Sequence, residues 1–485
     1  MPLRIIYLIA FLEGFSTLAV EIVAMRIAIP VVGSSIVLTS VFLGVVLLAL
    51  SAGYRSGWVV SSKMDNQKRI MTLAWALLFA WVRYVSISFA WERQFLEIMM
   101  ENTSSYIFTL FVVAFGLFFL PVFVASHTIP LLTDLLDEPS KGKAAGIVLF
   151  ASTVGSFFGS TVTSIVLFEW IGVWMTWALV GSGLIFLAAF VFRRQNKYLW
   201  IISLIIWIST LWWSLLKNGE SSLVYSFDSA YQKIDIYDAE YQGDPIRVFS
   251  TNGALSSAIF LDEWDTEAPF KYINEILRIS DIVEPKSVLV IGAAGFVYPQ
   301  LLSSRKYVDN VVAVDIDASV KDIAEKYFLE ESLNEKIEFI PRSARGVIHE
   351  YEKTDVRRFD LIFLDAYNDK SVPEELVTKE FFDWIQNLLW DDGVMIANMI
   401  LDPWFESDFA QSSLSTMRAT FDSLWANNVT TNVWSYLDNH IISSRPLEGY
   451  SPVDVQAKIY TDDRSSAGID NVGMLYFQEL KNEKK

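Results

Sequence analysis

A glycine turn and two aspartates each follow a strand-like run, and together they could bind a nucleoside and supply a base. The turn Gly292–Gly295 comes directly after the apolar run Val288–Ile291. Asp315 lies about 20 positions beyond the turn, where a carboxylate can accept hydrogen bonds from ribose hydroxyls. Asp365 ends a further apolar run. Because the carboxyl ends of parallel strands meet at one edge of a sheet, we expect these residues to form one site.

The elements that would position these residues indicate an α/β domain. Apolar runs of strand length alternate with helix-length segments, which predicts a parallel, doubly wound sheet. The predicted strands are Val288–Ile291, Val311–Val314, Ile337–Ile340, Leu361–Leu364 and Val394–Asn398. Before them, alternating apolar and polar residues with turn signals at Gly243 and at Asn252-Gly253 predict a small antiparallel β region.

The composition of the whole chain is that of a membrane protein. It has 485 residues, 53% of them hydrophobic, 17 Trp and a mean hydropathy of +0.35. The net charge of −18 is concentrated after residue 216, so an apolar half precedes a strongly acidic half. An acidic soluble half argues against nucleic-acid binding and tolerates cationic ligands.

Thiol and metal chemistry are not expected. The chain has no Cys, which excludes thiol nucleophiles, disulfides and iron–sulfur clusters held by cysteine. The three histidines, His127, His349 and His440, are scattered and fall in no ligand-spaced motif. We therefore expect no metal site.

The apolar half predicts about seven membrane spans. Apolar runs of roughly 20 residues, the length that crosses a bilayer as helix, lie near 5–25, 36–60, 70–90, 106–130, 144–168, 171–192 and 198–216. Lys and Arg concentrate in alternate loops, which places the N-terminus in the cytoplasm and, after seven crossings, the acidic half outside. A cytosolic nucleoside ligand requires the opposite, so the side of the soluble half stays open.

Charged and small residues inside the predicted spans indicate packing or transport. Glu13 and Glu21 in the first span and Arg83 in the third are functional candidates or members of internal ion pairs. Gly155 and Gly159 are four residues apart on one helical face and favour close helix packing.

Several motifs follow one another in the soluble half. They are SAYQKIDIYD, TNGALSSAIFLDE, VLVIGAAGF, VAVDID, FDLIFLDAYNDKSVPEELVTKEFF and YTDDR. In this order they resemble the spermidine synthase (polyamine aminopropyltransferase) family, which has the class I methyltransferase fold. The whole chain resembles the bacterial arrangement in which this domain follows a multi-span region of the inner membrane. We expect a transmembrane domain at 1–216, the small β region at 217–266 and the α/β domain at 267–485.

The resemblance implies transfer of an aminopropyl group from decarboxylated S-adenosylmethionine to a diamine such as putrescine. The acceptor amine must lose a proton before it attacks, and the resemblance assigns the catalytic base to Asp365. It assigns the donor side to Gln232, Gly292, Gly295, Asp315, Ser343 and Ala344, and the amine side to Tyr272 and Asp369.

Departures from the family pattern leave other functions open. The turn GAAGF has alanines and no carboxylate for the donor's amino group, and Asn368 replaces the second acid of the catalytic loop. One alternative is a catalytically silent binding or scaffolding module on a membrane anchor. Another is an amine transporter that uses Glu13 and Glu21, with the soluble half as a sensor. The expected partners are a small amine and the lipid bilayer, and whether the chain forms a homo-oligomer stays open.

Overall fold

The chain divides into two compact units, one up to Glu220 and one from Ser221 onward. The computed structural model describes residues 2–32, 36–90, 106–192, 198, 200–201, 205, 208, 222–229, 231–262, 267–354, 357–366, 372–429, 437–471 and 474. The finer division expected at residue 266 stays a prediction.

The described part of the first unit is helical. Its helices are α1 (Leu3–Val32), α2 (Ile36–Ser61), α3 (Asn66–Ala90), α4 (Tyr106–Ala114), α5 (Leu120–Ala125), α6 (Thr128–Leu135), α7 (Lys141–Val162) and α8 (Phe168–Phe192). Segments of π-helix, Phe115–Phe119 and Thr163–Leu167, connect α4 to α5 and α7 to α8.

Three helical segments of the described residues are long and apolar enough to cross a membrane. They are Leu3–Arg26, Val37–Ser61 and Lys141–Val173. Shorter apolar helices cover Leu120–Leu135 and Met175–Val191. Most of the last predicted span, 198–216, lies outside the described residues, so the expected number of seven crossings stays a prediction.

Helices α1 and α7 pack with their backbones in contact, because glycines lie at the crossing. A Cβ on Gly155 would lie 2.0 Å from the carbonyl oxygen of Phe11, and one on Gly159 would lie 2.2 Å from that of Phe15. These distances are too short for any side chain, so α7 can approach α1 this closely only with glycine at both positions. The predicted packing role of these glycines is confirmed.

Glu13 forms part of the same helix contact. Its carboxylate is buried and accepts hydrogen bonds of 3.3 Å from Thr17 on α1 and from Ser152 on α7. Glu21 is also buried on α1. The hydrogen bond from Ser152 makes Glu13 a polar link between two helices. The side chain of Arg83 lies outside the part of the chain that the structure describes.

The second unit contains an antiparallel sheet and a larger mixed sheet. Strands β1 (Leu223–Asp228), β2 (Lys233–Tyr241), β3 (Asp244–Thr251) and β4 (Ala254–Phe260) form the first in sequence order. The remaining strands are β5 (Ser287–Ile291), β6 (Asn310–Asp315), β7 (Ile337–Pro341), β8 (Phe359–Leu364), β9 (Leu389–Leu401), β10 (Trp425–Asn428), β11 (Asp438–Ser443) and β12 (Ser451–Pro452). The connecting helices are α9 (Lys271–Val283), α10 (Val297–Ser303), α11 (Ser319–Ile323), α12 (Ala344–Thr354), α13 (Lys379–Leu388) and α14 (Asp408–Arg418).

The order of strands in the large sheet is that of the class I methyltransferase fold. In the described residues it runs β7-β6-β5-β8-β9-β11-β10-β12, with β5 to β9 parallel and β11 antiparallel to β9. The chain moves outward from β5 in one direction and then returns to β8 on the other side. This reversal opens a crevice at the carboxyl ends of β5 and β8, where doubly wound sheets bind ligands. The predicted fold class is confirmed.

Burial on both faces explains why the parallel strands are apolar runs in the sequence. Val288 and Val290 of β5 face one buried cluster, whereas Leu289 and Ile291 face another. A strand covered on both faces shows no alternation of polar and apolar residues. Each fully buried aliphatic side chain of this kind contributes about 1.5–3 kcal/mol.

One predicted boundary is wrong. The sequence predicts a strand over Val394–Asn398, but β9 extends from Leu389 to Leu401. The extension beyond Asn398 pairs with β11, where Leu401 lies opposite Asp438, and at the other end Leu389 lies opposite Phe359 of β8. These pairing partners are far away in sequence, so local periodicity did not reveal them.

We predict that Gly155→Ala destabilises the first unit, whereas Gly146→Ala on the same helix does not. The new Cβ at 155 would overlap the carbonyl of Phe11, and overpacking of this kind costs about 1–3 kcal/mol. No atom lies within 4 Å of a Cβ on Gly146, where alanine should gain up to about 1 kcal/mol of helix propensity. Thermal unfolding of the detergent-solubilised chain measures both, and equal stability of the two variants would contradict the crossing.

Candidate active site

A cavity of about 590 Å³ lies at the carboxyl edge of the large sheet in the second unit. Of the residues predicted for the site, Gln232, Tyr272, Gly292, Asp315, Ser343, Ala344 and Asp365 line it. Gly295 is not among the lining residues. Asp369 lies outside the described residues. The structure therefore brings seven of the nine predicted residues together around one cavity.

Gly292 is the residue at which the turn after β5 meets the end of β8. Its φ is +94°, and a Cβ there would lie 2.2 Å from the carbonyl oxygen of Asp365. The backbone N–H of Asp365 donates to the carbonyl of Ile291 at 2.8 Å, and that of Gly292 donates to Val314 at 2.9 Å. Only glycine fits this position, because it tolerates both the left-handed backbone and the close approach.

In the rest of the turn, the left-handed backbone positions are occupied by residues other than glycine. Ala294 has φ +42° and Phe296 has φ +59°, conformations that cost an L-residue roughly 1–2 kcal/mol. Phe296 is fully buried, so packing holds it there. Ala294 therefore holds a left-handed backbone at a cost in strain.

Gly295 contributes packing, and its predicted role in ligand binding stays a prediction. A Cβ at this position would lie 2.5 Å from the ring of Phe328 and 2.9 Å from the Cβ of Ser257. Its N–H donates to the Ser257 hydroxyl at 3.2 Å. Gly295 thus lets the turn pack against the antiparallel sheet.

Asp315 at the end of β6 holds the turn in place. Its Oδ2 accepts from the N–H groups of Ala293 (3.1 Å) and Ala294 (3.4 Å), and its Oδ1 accepts from that of Asp317 (3.0 Å). Burial raises the pKa of the Asp315 carboxyl, and the three backbone donors partly offset this effect. A carboxylate has about four acceptor positions, so one stays available to a ligand hydroxyl.

Asp365 is the first residue after β8 and is held by two neutral donors. The Nδ2 of Asn398 donates to its Oδ1 at 2.9 Å, and the hydroxyl of Tyr272 also forms a hydrogen bond with the carboxylate. Burial raises the pKa of Asp365 to about 6, although both donors lower it. Such a carboxylate is ionised at neutral pH and still basic enough to accept a proton.

Asn398 is a site residue that the sequence interpretation missed. The signal was present, because the predicted strand Val394–Asn398 ends in a polar residue, and the other two strands are directly followed by Asp315 and Asp365. The adjacency depends on register, since Leu364 pairs with Ala397 and the next residue on each strand is therefore a neighbour. Lys271 and Glu375 also line the cavity and were not predicted.

Gln232 is positioned by a hydrogen-bonded turn between β1 and β2. Its N–H donates to the Ser229 hydroxyl at 2.9 Å, and its carbonyl accepts from the Ser229 N–H at 2.9 Å. The Ser229 hydroxyl also donates to Asp317 at 2.6 Å. This contact links the antiparallel sheet to the loop after β6, next to Asp315.

Arg345 connects the segment containing Ser343 and Ala344 to two other segments. It donates to the carbonyl of Glu375, to the hydroxyl of Thr378 at 3.1 Å and to the carboxylate of Asp462. Its guanidinium also lies 4.8 Å from the ring centre of Trp384. The wall formed by Glu375 and Leu376 is thereby fixed to the start of α12.

No group of three or more His, Cys, Asp or Glu side chains that could hold a metal ion occurs within the described ranges. The polar groups of the site are instead arranged for hydrogen bonding. Asp315 and Asp365 are acceptors on opposite sides of the turn, and Tyr272 and Asn398 are donors to Asp365.

Residues 274–445 match the Spermine/spermidine synthase domain family. This match confirms the resemblance predicted from the sequence. The matched segment includes the turn, Asp315, Ser343, Ala344 and Asp365, whereas Gln232 and Tyr272 precede it.

The chain is also similar in sequence to curated proteins, two of which follow. The chain is 29% identical over 184 residues to the polyamine aminopropyltransferase of Vibrio vulnificus (strain CMCP6), covering 37% of this chain and 60% of the relative. It is 22% identical over 264 residues to a probable polyamine aminopropyl transferase of Bifidobacterium longum (strain NCC 2705), covering 54% of this chain and 56% of the relative. The chain therefore spans less than two thirds of the length of these two relatives.

Solved structures are also similar. The spermidine synthase of Thermotoga maritima has a TM-score of 0.38 and 19% identity, covering 54% of this chain and 88% of that one. A spermidine synthase in complex with the transition-state analogue AdoDATO gives the same values.

We predict opposite effects of two substitutions in the turn. Gly292→Ala should destabilise the second unit by at least about 1–3 kcal/mol, since its Cβ overlaps the Asp365 carbonyl and its φ is positive. Ala294→Gly should stabilise the turn by roughly 0.5 kcal/mol, because relief of the left-handed strain exceeds the entropy lost by glycine. Chemical denaturation measures both, and effects of the same sign would refute this description of the turn.

Proposed function

We propose that the second unit transfers an aminopropyl group from decarboxylated S-adenosylmethionine to a primary amine, with a diamine such as putrescine as acceptor. The observation that carries the proposal is the environment of Asp365. Its carboxylate is half-buried, lies at the cavity, is held by neutral donors and has a pKa raised to about 6. The names of the relatives, polyamine aminopropyltransferases, support this reaction class.

Asp365 acts as the general base. A protonated amine has no lone pair for attack, so one proton must leave nitrogen, and the Asp365 carboxylate accepts it. The nitrogen lone pair then forms a C–N bond to the carbon next to the sulfonium, while the C–S bond breaks and its electrons stay on sulfur. The products are the aminopropylated amine and methylthioadenosine. Positioned bases of this kind contribute typically about 10²–10⁴ in rate.

The remaining residues bind and orient the two substrates. Gly292 lets a nucleoside approach the backbone, and Asp315 retains one acceptor position for a ribose hydroxyl. Ser343 and Ala344 lie beside the adenine and Gln232 contacts the donor. Tyr272 lines the path of the amine, where its contact with Asp365 also orients the base. Asp369, outside the described residues, is proposed to bind the amine.

We predict that Asp365→Asn abolishes transfer and that the wild-type rate falls as the pH drops through about 6. The base acts only when ionised, and because its pKa is raised, protonation stops the reaction at about pH 6 and not near the usual value of an aspartate. The measurement is methylthioadenosine formation with putrescine against pH. The control is Asp309→Asn. Asp309 is an exposed aspartate directly before β6, and this variant should have the parent rate and pH profile.

Two outcomes would each contradict one part of the proposal. If the parent protein binds methylthioadenosine but produces none with any amine, the silent binding module is the better interpretation. If Asp365→Asn retains the parent rate, the cavity catalyses transfer without this base and the assignment of Asp365 is wrong.

We also propose that the first unit anchors the protein in a bacterial inner membrane as a multi-pass domain. The three long apolar helices support this location. Because the donor is cytosolic, we predict that a C-terminal fluorescent-protein fusion fluoresces and a C-terminal alkaline phosphatase fusion is inactive. This result would mean that one of the seven predicted runs does not cross. An active phosphatase fusion would contradict aminopropyl transfer from a cytosolic donor.

A further inference from the structure

Asn398 lies beside Asp365 because of the register of the two central strands. Strands β8 and β9 are parallel, and Leu364 is paired with Ala397. The next residue of each strand is therefore a direct neighbour, and the Asn398 amide reaches Asp365 Oδ1 at 2.9 Å.

Asn398 lies within a central strand, with a neighbouring strand on each side. Strand β9 lies between β8 and β11, and Asn398 is paired with Ile441 of β11 while its side chain is buried. Asp365 is the first residue after β8, and its backbone N–H donates to Ile291. Its side chain is only half-buried, whereas that of Asn398 is 3% exposed. The buried amide therefore restricts the rotation of the Asp365 carboxylate.

The chemistry of an amide suits this task. Its N–H groups donate to the carboxylate without carrying charge and without a proton that can be lost near neutral pH. A lysine or arginine here would lower the pKa of Asp365 by roughly 1–3 units and weaken it as a base. A second carboxylate would compete for the same proton. A neutral donor orients the base and preserves its basicity.

We propose that Asn398 is a positioning residue, which holds Oδ1 of Asp365 so that the carboxylate faces the amine of the acceptor. This inference rests on the proposed aminopropyl transfer and assigns to Asn398 a role that the sequence interpretation did not. Oδ1 accepts from the Asn398 amide and the carboxylate also accepts from Tyr272, so these two donors set its orientation at the cavity. The acceptor nitrogen is thereby placed in line with the carbon that it attacks.

Other groups that titrate or carry charge also lie around the cavity and could contribute to a pH profile. Within the described wall they are Tyr231, Tyr241, Lys271, Tyr272, Asp315 and Glu375. The test must therefore compare variants at position 398 with the parent, so that these groups are common to both.

The experiment measures kcat, KM and the pH profile of methylthioadenosine formation for Asn398→Ala and Asn398→Asp. For Asn398→Ala we expect kcat to fall about 10- to 100-fold while KM for the donor changes less than about twofold. The pH below which kcat falls should rise by about one unit, because the ionised carboxylate of Asp365 loses a hydrogen bond. Asn398→Asp keeps the side-chain shape, and for this variant the same pH should rise further, because two adjacent carboxylates share a proton.

Asn387→Ala is the matched control. Asn387 is an exposed amide on α13 that donates to Glu352 at 3.5 Å. It should keep the parent kcat and pH profile. Thermal unfolding and binding of methylthioadenosine, measured for every variant, separate loss of fold from loss of positioning.

Two results would overturn the proposal. One is an Asn398→Ala enzyme with the parent pH profile and kcat. The other is a rise in KM for the donor at constant kcat, which would make Asn398 a binding residue. If the parent has no transferase activity, titration of the protein labelled with 13C-carboxyl aspartate still tests the contact between Asn398 and Asp365. The signal that disappears in Asp365→Asn belongs to Asp365, and in Asn398→Ala this signal should titrate at higher pH than in the parent. An unchanged titration would refute the contact.

Discussion

The site depends on the close contact between the turn after β5 and the end of β8. A Cβ on Gly292 would lie 2.2 Å from the carbonyl of Asp365, and the Asp365 N–H donates back to Ile291 at 2.8 Å. The turn and the candidate base are therefore joined by backbone atoms, whose positions are fixed by the sheet. Their separation does not depend on side-chain packing. This is why one glycine can be indispensable while its neighbours in the turn are alanines.

The sequence predicted those features of the site that depend on local patterns. Gly292, Asp315 and Asp365 were recognisable because each follows a buried strand, and parallel strands align such residues at one edge. Asn398 was missed because its contact depends on the register between β8 and β9, and the strand continues past it through pairing with the distant β11. The packing of Gly295 against Phe328 could not be predicted from spacing, and its role toward a ligand stays a prediction.

The two site aspartates differ in the donors that they contact, and this difference favours different roles. Asp315 accepts from three backbone N–H groups and so acts as a fixed acceptor that shapes the turn. Asp365 accepts from side chains, Asn398 and Tyr272, and its pKa is raised to about 6. Two carboxyl groups whose environments separate their functions are a common arrangement in enzymes that combine binding with proton transfer. The environment of Asp365 is the one that suits a base.

The backbone strain in the turn is relevant to the choice between an active enzyme and a silent binding module. Ala294 and Phe296 keep left-handed backbones that cost roughly 1–2 kcal/mol each, and such strain persists only where the surroundings enforce it. Here Asp315 enforces it through the N–H groups of Ala293 and Ala294, and burial of Phe296 does so from the other side. The turn is therefore held in a strained conformation by its surroundings. The space beside Gly292 and the remaining acceptor position of Asp315 are the two features on which the proposed binding of a nucleoside depends.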